Sequence, residues 1–136
     1  DRLGVTALRG AGLLRRLDEA GFAVDRAAEG RLFEVYPGGS LRLWGFDTTG
    51  YRVDANRRAV VLDTLRARAP WFDTGSFAAL AVAKADAFDA VIAAFATRAG
   101  ALGLFEHPAS EVLPVARREG WVVLPDGPLE ALIAGF

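Results

Sequence analysis

The sequence predicts an α/β protein, rich in helix and poor in strand. Three observations carry that prediction. Apolar residues recur at helical spacing over residues 5–20, 55–69 and 77–96. One run, Arg31–Tyr36, alternates in the manner of a strand and stops at Pro37. A second short run, Trp121–Leu124, lies between Gly120 and Pro125. Two such runs make a truncated sheet in a chain of 136 residues, so further strands are expected from a preceding segment or from a partner.

At 136 residues the chain is expected to form a single domain, residues 1–136. With 52% hydrophobic residues it can bury a substantial core, and with 24% charged residues it should be soluble; the expected location is cytoplasmic. The net charge of −1 gives no overall basic footprint, so nucleic-acid binding would have to use a local patch. The absence of cysteine excludes disulfides, zinc–thiolate sites and a cysteine nucleophile. The sequence starts at Asp1 and contains no methionine, which suggests a piece of a longer protein.

The first helix is read over residues 5–20. Val5, Leu8, Leu13, Leu14 and Leu17 form its apolar side, and Gly21 is its stop. A polar connection follows, with an extended piece at Phe22–Val24. After the strand 31–36, Gly38-Gly39 turns the chain and Ser40 caps a short helix through Leu41–Trp44. Residues 45–53 read as a loop. Asp54 is the expected N-cap of a helix from Ala55 to Ala69, with Val61, Leu62 and Leu65 inward and Pro70 as the stop. Residues 71–76 form another loop. The run 77–96 carries only Lys84, Asp86 and Asp89 as charged side chains. Three charges clustered in its middle argue against a membrane span, so it reads as one long buried helix closed by Gly100 and Gly103. A short helix at Ser110–Arg117 and a terminal helical turn at Leu129–Ile133 complete the chain.

The chemistry centres on three acids. Glu34 lies inside an apolar strand, where a carboxylate needs water, a cation or a metal. Asp86 and Asp89 are three apart, so a helix projects both from one face. Held together at the edge of a buried helix, they would favour a cation between them. Three hard oxygen donors suit Mg²⁺ or Mn²⁺, and two such ions about 4 Å apart promote in-line displacement at phosphodiesters. Spacing alone leaves other readings open. Glu34 fits an edge-strand gatekeeper as well, and the aspartates fit a solvated, dipole-stabilised helix start.

Several segments occur in a fixed order. They are Glu34-Val35-Tyr36-Pro37 with Leu41-Arg42-Leu43-Trp44-Gly45, then Gly50-Tyr51-Arg52, then Asp86-Ala87-Phe88-Asp89-Ala90, then Glu119-Gly120-Trp121-Val122-Val123-Leu124-Pro125. Together with the opening helix they resemble an uncharacterised bacterial family of predicted nucleases with a ribonuclease-H-like fold. The resemblance implies that the chain is a C-terminal portion of that fold. It implies Glu34 as the carboxylate on the fourth core strand and Asp86 and Asp89 as the helical acidic pair, all three as catalytic metal ligands. It also implies Arg52 as a contact to substrate phosphate. The same plan is seen in Holliday-junction resolvases of the ribonuclease-H-like superfamily. One departure stands out: the family's first-strand aspartate has no counterpart here, because Asp1 and Asp25 lie outside strand patterns.

The resulting expectation is a Mg²⁺- or Mn²⁺-dependent nuclease in the full-length protein, with nucleic acid as partner, no membrane partner, and a second copy of the chain as a further candidate. The alternative is a non-catalytic binding or assembly module that keeps the fold. The arginines Arg52, Arg57, Arg58, Arg66 and Arg68 make residues 51–68 locally basic, which fits either phosphate contact or a solvated helix face. His107 reads as a surface loop residue or a proton shuttle. Trp44, Trp71 and Trp121 read as packing residues before stacking platforms. Gly38-Gly39 lacks the Lys-Ser/Thr of a nucleotide-binding loop, and no nucleophile elbow is present.

Overall fold

The structure is a computed structural model that describes the backbone of residues 2–133 and the side chains from Leu8 to Ile133. Asp1 and the Val5 side chain, both invoked above, lie outside the described residues. The elements in order are α1 (Arg2–Glu19), β1 (Glu34–Val35), α2 (Pro37–Leu43), α3 (Ala55–Arg68) and a 3₁₀ turn (Gly75–Phe77). They continue with α4 (Ala78–Ala83), α5 (Ala85–Ala101), α6 (Leu113–Glu119), β2 (Val122–Val123) and a second 3₁₀ turn (Leu129–Ile133). The protein is thus mixed α/β, helix-rich, with a single two-stranded parallel sheet among the described residues. Glu34 pairs with Val122 and Val35 with Val123.

The chain divides into two compact units. One comprises Asp1–Phe33 with Pro108–Trp121. Within it, the Asp25 carboxylate accepts from the amides of Ala27 and Glu29, folding the connection into an Asx turn. Arg26 donates from Nη1 and Nη2 to the carbonyls of Arg118 and Glu119 at 2.9 and 2.8 Å. These are orphan carbonyls at the end of α6, where a cation is favoured. Arg117 pairs with Glu29 at 2.8 Å. On α1 the predicted leucine side is only half realised: Leu14 and Leu17 are half-buried, while Leu8 and Leu13 are exposed.

The other unit, Glu34–His107 with Val122–Phe136, holds the main hydrophobic core. Its axis is α5, which packs against α2, α3, α4, both strands and the second 3₁₀ turn. Phe88, Ile92, Phe95, Ala96, Ala99 and Gly100 are its buried face, at helical spacing. Leu41, Trp44, Val61, Leu62 and Leu65 close on it from α2 and α3. Phe95 meets Phe72 edge-on at 4.7 Å between ring centroids and Trp71 at 5.4 Å, so Trp44 and Trp71 serve packing, as expected.

Several element boundaries differ from those read in the sequence. The strand 31–36 shortens to Glu34–Val35, because a single two-residue partner strand is available for pairing. Pro37 opens α2 instead of merely ending a strand, since its fixed φ and missing N–H suit the first helical position. Gly38, Gly39 and Ser40 are therefore buried inside α2, and Ser40 bonds back to the Tyr36 carbonyl instead of capping. Asp54 does cap α3, accepting from the Asn56 amide at 2.8 Å.

The largest difference is in residues 77–96, which do not form one helix. Lys84 is extended, with φ −123° and ψ 119°, and separates α4 from α5. Arg58 supplies the reason. Its Nε donates to the Val82 carbonyl at 2.7 Å and its Nη2 to the Ala83 carbonyl at 3.3 Å. In an unbroken helix those carbonyls would accept from Asp86 and Ala87. A buried guanidinium takes them over, and α5 starts afresh at Ala85.

Candidate functional site

The break at Lys84 places Asp86 in the first turn of α5, where negative charge is favoured by the helix dipole. Asp89 follows one turn later, beside the buried Phe88. The two carboxylates share a helix side but not an environment. The Asp86 side chain is 98% exposed, whereas that of Asp89 is 16% exposed. The expected edge position beside the core therefore holds for Asp89 alone.

Opposite α5 lies the turn Gly50-Tyr51-Arg52. Gly50 has φ +70°, and its carbonyl accepts from the amides of Val53 and Asp54 at 3.0 Å. That left-handed residue closes the turn at no steric cost. Arg58 Nη1 donates to the Tyr51 carbonyl at 2.7 Å, so the cation that breaks the helix also pins the turn. From there the Tyr51 hydroxyl donates to Asp89 Oδ1 at 2.9 Å. The Arg52 guanidinium donates from Nη1 to Asp89 Oδ2 and from Nη2 to Asp86 Oδ1, the latter at 3.3 Å. Both Asp89 oxygens are thus engaged, and one guanidinium bridges the two aspartates.

The electrostatics agree with this geometry. Burial, then the bond to Asp89, push the Tyr51 phenol up to about 12, so it stays a neutral donor. The Asp89 carboxylate beside Arg52 raises the guanidinium further above its already high range. Tyr51 also packs at 5.6 Å from the Phe88 ring, which ties the cluster to the core.

Tyr51, Arg52 and Asp89 of the cluster line an open depression of about 330 Å³, which Asp86 does not. Tyr36, Pro37, Gly38, Arg42, Thr48 and Val53 also line it. A larger depression, about 430 Å³, is lined mainly by apolar residues, among them Phe72, Phe77, Leu80 and Val91, with Asp73 and Thr74 as its polar members. The charged cluster is therefore the better candidate site.

The structure thus brings together Asp86, Asp89 and Arg52 of the expected set. Glu34 is half-buried on β1 and does not line the depression. Among the described residues no group of three or more His, Asp or Glu side chains is placed to hold a metal ion. Asp86 and Asp89 offer two hard donors, but no third joins them, and a guanidinium already holds both. Among the described residues, Asp86 and Asp89 by themselves supply fewer oxygen donors than the expected metal centre needs. Tyr51 and Arg58 are the residues that sequence reading undervalued. The sequence places Arg58 in a locally basic stretch, yet it is 5% exposed and bonds three backbone carbonyls. The His107 ring lies against that of Phe105, centroids 4.0 Å apart and tilted by 38°, in the loop that follows α5.

Among the described residues no helix is long and apolar enough to cross a membrane. Fold and cluster together define a helix-rich α/β protein with an aspartate–arginine–tyrosine site at the start of its central helix. The chain belongs to the family described as "Protein of unknown function (DUF429)", whose model matches residues 4–112. That stretch includes Glu34, Arg52, Asp86 and Asp89 and ends before Glu119–Pro125. No curated protein and no solved structure matches the chain.

Proposed function

We propose that this protein is a nuclease of ribonuclease-H-like type, hydrolysing phosphodiester bonds with Mg²⁺ or Mn²⁺, with Asp86 and Asp89 at its centre and Glu34 as the strand carboxylate. One observation supports this most directly: a single cationic group lies between Asp86 and Asp89. Two carboxylates one helical turn apart are a seat for positive charge, and the seat is filled here by Arg52. In this reading Arg52 leaves the pair to meet a substrate phosphate, for which its planar fork is suited.

A second reading, a non-catalytic binding or assembly module, is favoured by a different observation. Both Asp89 oxygens have protein partners, and no third acid joins the pair among the described residues. Calorimetric titration of the full-length protein with Mn²⁺ separates the two. The nuclease reading expects binding that Asp89→Asn abolishes, together with Mn²⁺-dependent cleavage of labelled DNA or RNA. Absence of binding, or binding indifferent to Asp89→Asn, overturns it in favour of the module.

A further inference from the structure

We propose that Tyr36 and Arg42 form a docking subsite for one nucleotide unit of a single-stranded nucleic acid, with Arg42 meeting a backbone phosphate and Tyr36 offering its ring to a base. The proposal rests on the nucleic-acid part of the reading above and adds residues that lie outside the acidic cluster. It begins with an oddity of packing. Tyr36 is 52% exposed, yet its ring lies close against the backbone of Gly38 and Gly39. A Cβ added at Gly39 would fall 2.6 Å from the ring's Cδ1 and 3.2 Å from its Cε1. A Cβ at Gly38 would come to 3.7 Å from Cε2 and 3.3 Å from the Tyr51 hydroxyl. The first turn of α2 is thus stripped of side chains where the ring lies, although adjacent glycines weaken a helix.

Arg42 completes the platform from the last turn of α2. Its guanidinium carbon lies 5.8 Å from the Tyr36 ring centroid on the hydroxyl side, and its Nη2 donates to the Tyr36 hydroxyl at 3.3 Å. The two side chains hold each other. Among the described residues no carboxylate pairs with Arg42, whereas the charge of Arg52 is committed to Asp86 and Asp89. While Arg52 holds the two acids, as it does without metal and in the EDTA assay below, Arg42 is the arginine lining the depression that is open to an anion. An aromatic surface beside a positive group is what sequence-tolerant binding of single strands uses, the ring for a base and the cation for the backbone. With a net charge of −1, the chain has no general basic field to substitute for this local pair.

The test is fluorescence anisotropy with fluorescein-labelled oligothymidylate and oligouridylate, in EDTA and at low salt, so that no cleavage intervenes. The wild-type protein is expected to bind at least one of them, and more weakly as salt rises. Arg42→Gln should weaken binding by about fivefold or more and lower the slope of log K against log salt by about 0.7, the share of one phosphate on a single strand. Arg42→Lys should keep most of that slope. Tyr36→Leu should weaken binding by about fivefold or more, while Tyr36→Phe should not, because stacking needs the ring and not the hydroxyl. Circular dichroism and thermal melting confirm that each variant folds. Wild-type protein that binds neither oligonucleotide, or Arg42→Gln and Tyr36→Leu variants that bind like wild type, would overturn the subsite. Mn²⁺ titration keeps the two readings distinguishable. Metal binding sensitive to Asp89→Asn, with oligonucleotide binding insensitive to Arg42→Gln, removes the subsite and leaves the nuclease. Binding sensitive to Arg42→Gln in a protein that takes up no Mn²⁺ removes the nuclease and leaves the subsite.

Discussion

The Tyr51 hydroxyl donates to the Asp89 carboxylate at 2.9 Å, joining a turn to the central helix across 38 positions of sequence. Burial and that bond hold the phenol's pKa near 12, against 10.0 for an ordinary tyrosine. A folded-state pKa above the unfolded one means stabilisation that is complete below pH 10 and lost as pH rises through 12. The protein has two tyrosines, so Tyr36→Phe leaves Tyr51 as the only phenol. In that variant, tyrosinate absorbance at 295 nm is expected to rise with a midpoint near 12, and Asp89→Asn should bring the midpoint down. A midpoint near 10 in the folded Tyr36→Phe protein would contradict the arrangement.

Asp89 and Arg52 should differ in their effect on stability, although they pair. Arg52 has a side chain 56% exposed, so its ion pairs are screened by water and its loss should cost less than about 1 kcal/mol. Asp89→Ala leaves the buried Tyr51 hydroxyl without its acceptor, which costs about 1–3 kcal/mol. Urea unfolding of Arg52→Ala and Asp89→Ala would show the gap. Equal costs would mean that the Tyr51 bond is not the stronger of the two.

Arg58 should be among the most sensitive positions. Its guanidinium is buried and bonds the carbonyls of Tyr51, Val82 and Ala83. Arg58→Met would orphan those carbonyls together, and hydrogen bonds to a charged group contribute about 1.5–3 kcal/mol each, so a loss of at least about 3 kcal/mol is expected. Arg58→Lys should not restore stability, because an ammonium cannot span the same fork. Thermal denaturation of both variants decides it; a loss below about 1 kcal/mol for Arg58→Met would remove Arg58 as the clamp of the helix break.

Two glycines should respond to alanine with opposite signs. Gly10 lies in α1 with nothing within 4 Å of an added Cβ, so Gly10→Ala should stabilise by up to about 1 kcal/mol through helix propensity. At Gly39 the new methyl would meet the Tyr36 ring at 2.6 Å, and Gly39→Ala should destabilise by about 1–3 kcal/mol or force the ring aside. Melting temperatures give the sign in each case, and stabilisation at Gly39 would show that the ring is loosely held.

The helices at 55–69 and 5–20, the late strand and the cap at Asp54 were legible because each rests on local rules: apolar periodicity, a capping side chain, a stop at glycine or proline. Misreadings arose where a distant residue decided. Nothing between Phe77 and Ala96 breaks a helix by propensity; Arg58, some twenty-five positions earlier, does so by taking two carbonyls. Gly38-Gly39 looked like a turn because glycine marks turns, but here it makes room for a ring two and three positions back. Within the site, the spacing of Asp86 and Asp89 reads as a seat for Mg²⁺ or Mn²⁺, whereas the group that pairs with both in the structure is the Arg52 guanidinium. That pairing is not legible in the sequence, since the two segments meet only through the fold.

By itself, then, the sequence determined that residues 5–20 and 55–69 are helical, that strand would be scarce, and that two aspartates would share one side of a helix. Those features follow from side-chain period and backbone preference, which act over a few residues. The tertiary structure alone decided where α5 begins, that Asp89 is sheltered while Asp86 is not, and that Tyr51 and Arg52 close on the acidic pair. Each depends on a buried polar group finding its partner across the chain, and burial is a property of the packed whole.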